Sequence, residues 1–303
     1  MNLLYSVNYL IFSVFLTLLM LEIGLALVSL AGSERYKDRI AKIINPIWEV
    51  TGTFAIFYVV NFEVSYPLVL GIVGTAYAVP LLVAAIFLII RNVLLALRDY
   101  VGYGKQWPRI VYPMSTIVAG ALAISVLSSG VSGMGINLAN GAINASFIFN
   151  PFNLLIILSI ILLSFSLANG IIKVDRFHKA GMISEILGFA IAAIASYVYL
   201  PGFLKGQQTS TLLIIVSLIV LIAAIALQAI KAKYAGPFNA VFVALLINLF
   251  GASIYPYVFG TANIMNYAAS NALASPELLI TTIGGTMVAL SLIVLIYVNY
   301  VKK

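Results

Sequence analysis

Residues Leu154–Leu163 read LLIILSIILL. Only Ser159 interrupts the aliphatic run. A barrel strand in a membrane alternates apolar and polar residues along its length. A helix on the surface of a water-soluble core keeps one polar face. This segment does neither. It suits a helix in lipid, whose backbone groups are satisfied within the helix itself. The run extends from Pro151 to Ile172, about the 20 residues needed to cross a bilayer. Comparable runs recur along the chain. Hydrophobic residues make up 63% of the 303 positions and charged residues 8%, against roughly 25% charged in a soluble domain. Too few charges remain to cover a surface facing water.

The sequence therefore predicts an all-α integral membrane protein with about nine transmembrane helices. They fall at about 3–30, 46–64, 67–96, 109–130, 151–172, 182–200, 210–230, 237–258 and 276–300, with boundaries approximate. Asn45-Pro46, Asn150-Pro151 and Ser275-Pro276 each read as a helix start. In each, a capping residue precedes a proline whose missing N–H is harmless in the first turn. Gly236-Pro237 is a weaker version. The opening MNLLYSVNYLIFSVF has no basic residue before its apolar run and no small-residue cleavage site. Leu3 onward thus reads as the first span rather than a signal peptide.

The basic residues orient these spans. Arg35, Lys37, Arg39 and Lys42 lie in the first loop, and Arg91, Arg98, Lys105 and Arg109 around the third. Lys173, Arg176 and Lys179 lie in the fifth, Lys231 and Lys233 in the seventh, and Lys302 and Lys303 at the C-terminus. Of the 16 lysines and arginines only Lys205 falls on the opposite side. Short loops rich in Lys and Arg stay cytoplasmic. The expected placement is a multi-pass protein of the cell membrane with its N-terminus outside and its C-terminus in the cytoplasm. The net charge of +7 is then topological, and a nucleic-acid partner is not expected.

The longest loop, 131–150, is uncharged and separates two sets of four spans. The expected architecture is two four-helix bundles plus a peripheral helix. One membrane domain covers 1–303, with a first half at 1–130, a second at 151–258 and a ninth helix at 276–303.

Ionisable groups inside spans are the default functional candidates, because a charge in hydrocarbon is costly. Glu22 lies deep in span one, too far in to reach water, and must be protonated or paired. Arg91 and Glu49 are its possible neighbours. Glu49 reads as a shallow acid in the first turn of span two, and Glu185 as a similar one at the start of span six. The helix dipole alone would favour both. Arg91 at the inner end of span three could extend its head to the surface. Glu63 lies at the outer end of span two. Glu22 and Glu49 are the candidates for a proton path, with Trp48 and Arg91 as supporting side chains.

The chain has no cysteine and one histidine, His178, in a short inner loop. That excludes disulfides, thiolate-bound metals and a cysteine nucleophile. A haem held by two histidines needs both inside the membrane, so no cofactor is expected on this chain. No phosphate loop, HExxH or GxSxG motif occurs, which leaves nucleotide binding and soluble-type hydrolysis without support.

Several segments together resemble subunit II of the cytochrome bd family. Arg35–Glu49 (RYKDRIAKIINPIWE) is similar to that family's inner loop, followed by a proline and then a tryptophan with an acid: here Pro46, Trp48 and Glu49. Phe87–Arg91 (FLIIR) resembles the arginine-terminated third helix. Asn150-Pro151-Phe152 resembles the opening of span five, and Val174–Lys179 (VDRFHK) the inner loop before span six. Tyr255–Val258 (YPYV) and Asn266–Leu279 (NYAASNALASPELL) resemble the exit of span eight and the outer loop before span nine. The sequence departs from the family late in span one, where an Asp-Gly-Phe-Asp-Leu-Gly motif is replaced around Leu21-Glu22-Ile23-Gly24. Thr51 also follows Glu49 where the family tends to continue with an asparagine and a second tryptophan.

The resemblance implies a haem-free subunit of a quinol:oxygen oxidoreductase. Its partner would be the haem-bearing subunit I, with b and d haems. This chain would help supply protons or oxygen, and lipid or a quinone could bind it. Two other readings stay open at this point: a secondary transporter, and a haem-free anchor of another quinone-linked complex. Gly71, Gly74 and Pro80 interrupt span three as transporter spans are interrupted, yet no matching break is evident in the second half.

Overall fold

The computed structural model of the chain describes residues 3–31, 37–101, 107–135, 147–200, 203, 209–232, 235–269, 276–287 and 290. Nearly all of them are helical. The helices are α1 (Leu3–Ala31), α2 (Lys37–Ser65), α3 (Pro67–Ala76), α4 (Ala78–Val101), α5 (Trp107–Ser132), α6 (Pro151–Ile172), α7 (His178–Tyr199), α8 (Thr209–Ala229) and α9 (Ala235–Ile254). A further helix, α10, opens at 276 and is described to 287. Two-residue strands Tyr257–Val258 and Ala262–Asn263 pair antiparallel in the connection after α9.

Among the described residues, six helices are long and apolar enough to cross a membrane: α1, α4, α5, α6, α7 and α9. They become seven if the bent α2–α3 pair is taken as one span. The order of helices follows the expected spans, with two local differences.

The first lies at Asn45-Pro46. It is not a helix start, because α2 begins at Lys37 and runs through Pro46 without a break. An internal proline leaves the carbonyl four residues earlier without its donor. Packing in a bundle offsets that loss, and Ile40, Ile44 and Ile47 all face the core. The second lies in span three, which is broken. Ahead of it, at the boundary of spans two and three, the chain bends by 118° from α2 into α3. At about 1.5 Å per residue α3 is only ~15 Å long and cannot cross alone. Pro80 supplies the reason, since a proline there has no N–H for the Ala76 carbonyl. The helix stops at Ala76 and resumes at Ala78. No comparable bent pair occurs in the second half among the described residues.

Asn150-Pro151 behaves as expected. The Asn150 side chain accepts from the Asn153 N–H at 2.8 Å, with Pro151 in the first turn. Asn153 in turn ties the start of α6 to α5. Its amide accepts from Ser128 Oγ at 2.8 Å and donates to Ser129 Oγ at 2.6 Å. Ser275-Pro276 lies partly outside the described residues.

α1 and α6 form the centre. α1 packs against α2, α5, α6 and α9, and α6 also packs against α5, α7 and α9. One apolar core, with Met20, Ile23, Leu25, Leu167 and Ile172 at its heart, therefore joins the two sets of helices. Close approach depends on small residues, as is usual between helices in lipid. A Cβ on Gly24 would stand 1.9 Å from the Ser164 carbonyl oxygen, so α1 and α6 can meet at this point only over a glycine.

Candidate functional site

The buried ionisable side chains fall into three groups, two toward the ends where α1, α6 and α8 finish and one where α1 begins. The first joins Glu22 of α1 to Arg91 of α4. The Arg91 guanidinium donates from Nη1 to Glu22 Oε2. The two residues are 1% and 4% exposed. Arg91 Nε donates to Asn92 Oδ1 at 3.1 Å. Thr51 of α2 lies beside the carboxyl, while its own hydroxyl donates to the Ile47 carbonyl at 2.8 Å. Glu22 Oε1 has no hydrogen-bond partner among the described residues.

Glu22 stands nine residues before the end of α1, and Arg91 six before Leu97, where the apolar stretch of α4 ends, so they lie about 9–14 Å inside those ends at 1.5 Å per residue. An unpaired charge at that depth is strongly disfavoured. The pair replaces two such charges with one overall neutral unit. It also shows that Arg91 turns inward and does not extend to the surface.

Glu49 is placed differently from the sequence expectation. Because α2 starts at Lys37, Glu49 is its thirteenth residue and not part of a first turn. Thr51 lies beside Glu22, and Glu49 is only two residues, or about 3 Å, from Thr51 along the axis. Glu49 therefore lies near the level of Glu22, three residues inside the apolar stretch of α2 that opens at Pro46. Two residues also correspond to about 200° around a helix, so Glu49 points away from Glu22 and is exposed. The structure does not bring the two acids together.

Glu49 heads an exposed stripe down α2: Thr53, Ile56, Val60 and Glu63 follow at helical spacing, with Ile56 69% exposed. Trp48 is half-buried and packs against the main core. His178 is half-buried at the first position of α7.

The second group surrounds Glu185, which is fully buried. It is the eighth residue of α7. The helix dipole fades within the first turn, so the dipole does not account for this acid. Its Oε2 accepts from Gln228 Nε2 of α8 at 2.6 Å and from Ser166 Oγ of α6 at 3.1 Å. No lysine or arginine forms an ion pair with it among the described residues. The sequence reading missed Gln228. Its only signal was an amide at the end of an otherwise aliphatic helix. The third group centres on Glu277 of α10, which lies in the outer-loop motif and outside the set of candidates drawn from the sequence. Its only signal was an acid directly after a helix-opening proline.

Between α1, α5, α6, α7, α8 and α9 lies a cavity of about 520 Å³, lined by Tyr9, Phe12, Phe152, Phe189, Phe203 and Phe250 among others. Ile194, Tyr197 and Leu218 also line it and are exposed. It therefore opens sideways between α7 and α8. Among the described residues no group of three or more His, Cys, Asp or Glu could hold a metal ion.

An all-helical, multi-pass membrane protein with a buried ion pair among its described residues is the class this arrangement defines. A family model described as cytochrome bd terminal oxidase subunit II matches residues 2–302. The chain belongs to that family. The fold agrees: a solved bd oxidase from Geobacillus thermodenitrificans contains a chain of the same fold, with a TM-score of 0.78 at 17% identity, covering 98% of each chain. No curated relative matches the sequence.

Proposed function

We propose that this chain is the haem-free subunit of a quinol:oxygen oxidoreductase, seated against a haem-bearing subunit through the outward stripe of α2. One observation carries the reading: Glu49 is exposed at nearly the depth of buried Glu22. A carboxyl facing acyl chains at that level is strongly disfavoured. A protein partner that covers the stripe and offers polar groups removes the problem. The haems are assigned to that partner, because the one histidine, His178, stands alone at the first position of α7 and an axial set needs facing side chains within the membrane.

Glu49 would take up protons and pass them toward the partner, where oxygen reduction consumes them. Glu22 would act through position, holding α4 to α1 with Arg91 and keeping α2 in register through the Thr51 contact. The aromatic-lined cavity between α7 and α8 would take an apolar chain, from a lipid or a quinone.

The test is Glu49→Gln in the intact complex. Normal assembly and haem content with oxygen consumption slowed severalfold supports the reading. Unchanged turnover removes Glu49 from proton supply. A native complex that contains haem but oxidises quinol without consuming oxygen would point to a different quinone-linked assembly.

A further inference from the structure

A third polar group lies at the opposite end of the helices, where α1 begins, α2 turns into α3 and α10 opens. It joins Asn8 of α1, Asn61 and Ser65 of α2, the corner residue Tyr66, and Glu277 and Thr281 of α10. All six are buried, Glu277 at 7% exposed and Tyr66 at 0%. The hydrogen-bond donors are nearly used up. Asn8 Nδ2 donates to the Leu4 carbonyl at 3.0 Å and to Ser65 Oγ at 2.7 Å. Asn61 Nδ2 donates to Asn8 Oδ1 at 2.9 Å. Thr281 donates to Asn61 Oδ1.

Ser65 has a single proton and two acceptors, the Asn61 carbonyl at 2.8 Å and Glu277 Oε1. Glu277 Oε2 and the Tyr66 hydroxyl, which lies within electrostatic reach of Glu277, are buried with no hydrogen-bond partner among the described residues. What gathers here is a carboxylate, two amide oxygens, two aliphatic hydroxyls and a phenol, with one negative charge to balance. The first turn of α10, where Glu277 stands, offers it a partial positive charge, and the sequence offers little more. Of the 16 lysines and arginines only Lys205 belongs to the loops on this side of the bundle, and residues 270–275 carry no charge.

We propose that Glu277, Ser65, Asn61, Thr281 and Tyr66 bind one monovalent alkali cation, which locks α10 onto α1 and α2. The donor chemistry fits: all the free atoms are hard oxygens, and there is no nitrogen or sulfur ligand to favour a transition metal. A single carboxylate matches a single positive charge, whereas calcium sites usually gather several carboxylates. A cation would also coordinate the two buried oxygens that hydrogen bonding leaves out. The competing account is a protonated Glu277 that donates to Ser65. It leaves Glu277 Oε2 and the Tyr66 hydroxyl unpartnered, groups that are rarely buried without a partner. The proposal is independent of what the partner subunit does.

The experiment uses the complex purified from its own membrane, exchanged into buffers of equal ionic strength with sodium, potassium or N-methylglucamine as the only cation. The readout is the rate of irreversible thermal inactivation. A ligand that binds only the folded state stabilises it in proportion to its occupancy. Inactivation should slow severalfold and saturably with sodium or potassium over N-methylglucamine, and the better of the two identifies the ion. Glu277→Gln should abolish that dependence. Thr281→Val keeps the carboxylate and removes one oxygen, so it should move saturation to higher concentration, and it serves if the glutamine variant fails to assemble. Equal rates in all three cations for the unmodified complex would overturn the proposal in favour of the neutral acid. A cation effect that persists unchanged in both variants would also overturn it, by placing the site elsewhere.

Discussion

Glu22 on α1 and Arg91 on α4 form an ion pair in the interior of the bundle, 69 residues apart in sequence and both almost wholly buried. The pair ties α4, which packs mainly on α5, to α1 at the level where Thr51 brings α2 to the same carboxyl. Three helices of the first half are thus registered on one acid.

Removing either partner leaves a buried charge uncompensated, which typically costs about 3–5 kcal/mol. Arg91→Met alone should sharply reduce the amount of assembled complex recovered in detergent. Glu22→Gln alone should do the same by stranding the guanidinium, which stays charged under all ordinary conditions. The double variant Glu22→Gln with Arg91→Met should recover much of the loss, because no charge is then left unmatched. Normal assembly of Glu22→Gln with slowed oxygen consumption would instead place Glu22 in the proton path beside Glu49.

Gln228 is the shortest donor to Glu185, at 2.6 Å. Gln228→Leu should destabilise the packing of α8 against α6 and α7 by about 1–3 kcal/mol, the usual penalty for leaving a buried group without its partner. Thermal unfolding of the detergent-solubilised complex measures this. Ser166→Ala removes a longer bond, at 3.1 Å, and should have the smaller effect. Equal stability of Gln228→Leu and the unmodified complex would show that Glu185 does not depend on this amide.

The basic loops predict an external N-terminus and a cytoplasmic C-terminus. In this cysteine-free chain, Asn140→Cys should be labelled by an impermeant thiol reagent applied to intact cells. Ser33→Cys should be labelled only after the membrane is opened. The reverse pattern would invert the topology.

What could be read in advance differs from residue to residue. The membrane class was legible because lipid makes a compositional demand that a run such as Leu154–Leu163 meets by itself. Asn150-Pro151 was legible because capping is local and involves only the next three residues. Pro46 was misleading for the complementary reason. Nothing local tells a first-turn proline from an internal one, and it is packing of Ile40 and Ile44 into the core that carries α2 nine residues further back. The Glu22–Arg91 pairing was within reach, since two opposite charges in the same half of neighbouring spans have few alternatives. Gln228 was out of reach, because an uncharged amide near a helix end has many harmless explanations. Only tertiary structure brings it to Glu185.

The central claim is that the exposed acid of α2 is covered by a haem-bearing partner. The most direct measurement is to isolate this chain by an affinity tag from its native membrane. The absorption spectrum, subunit stoichiometry and quinol-driven oxygen consumption are then recorded on one sample. The account predicts an equimolar larger subunit that carries all the haem, with Ile56→Cys cross-linking to it and oxygen consumed on addition of quinol. Recovery of this chain as a homo-oligomer with no second subunit, or with haem bound to this chain itself, would contradict it.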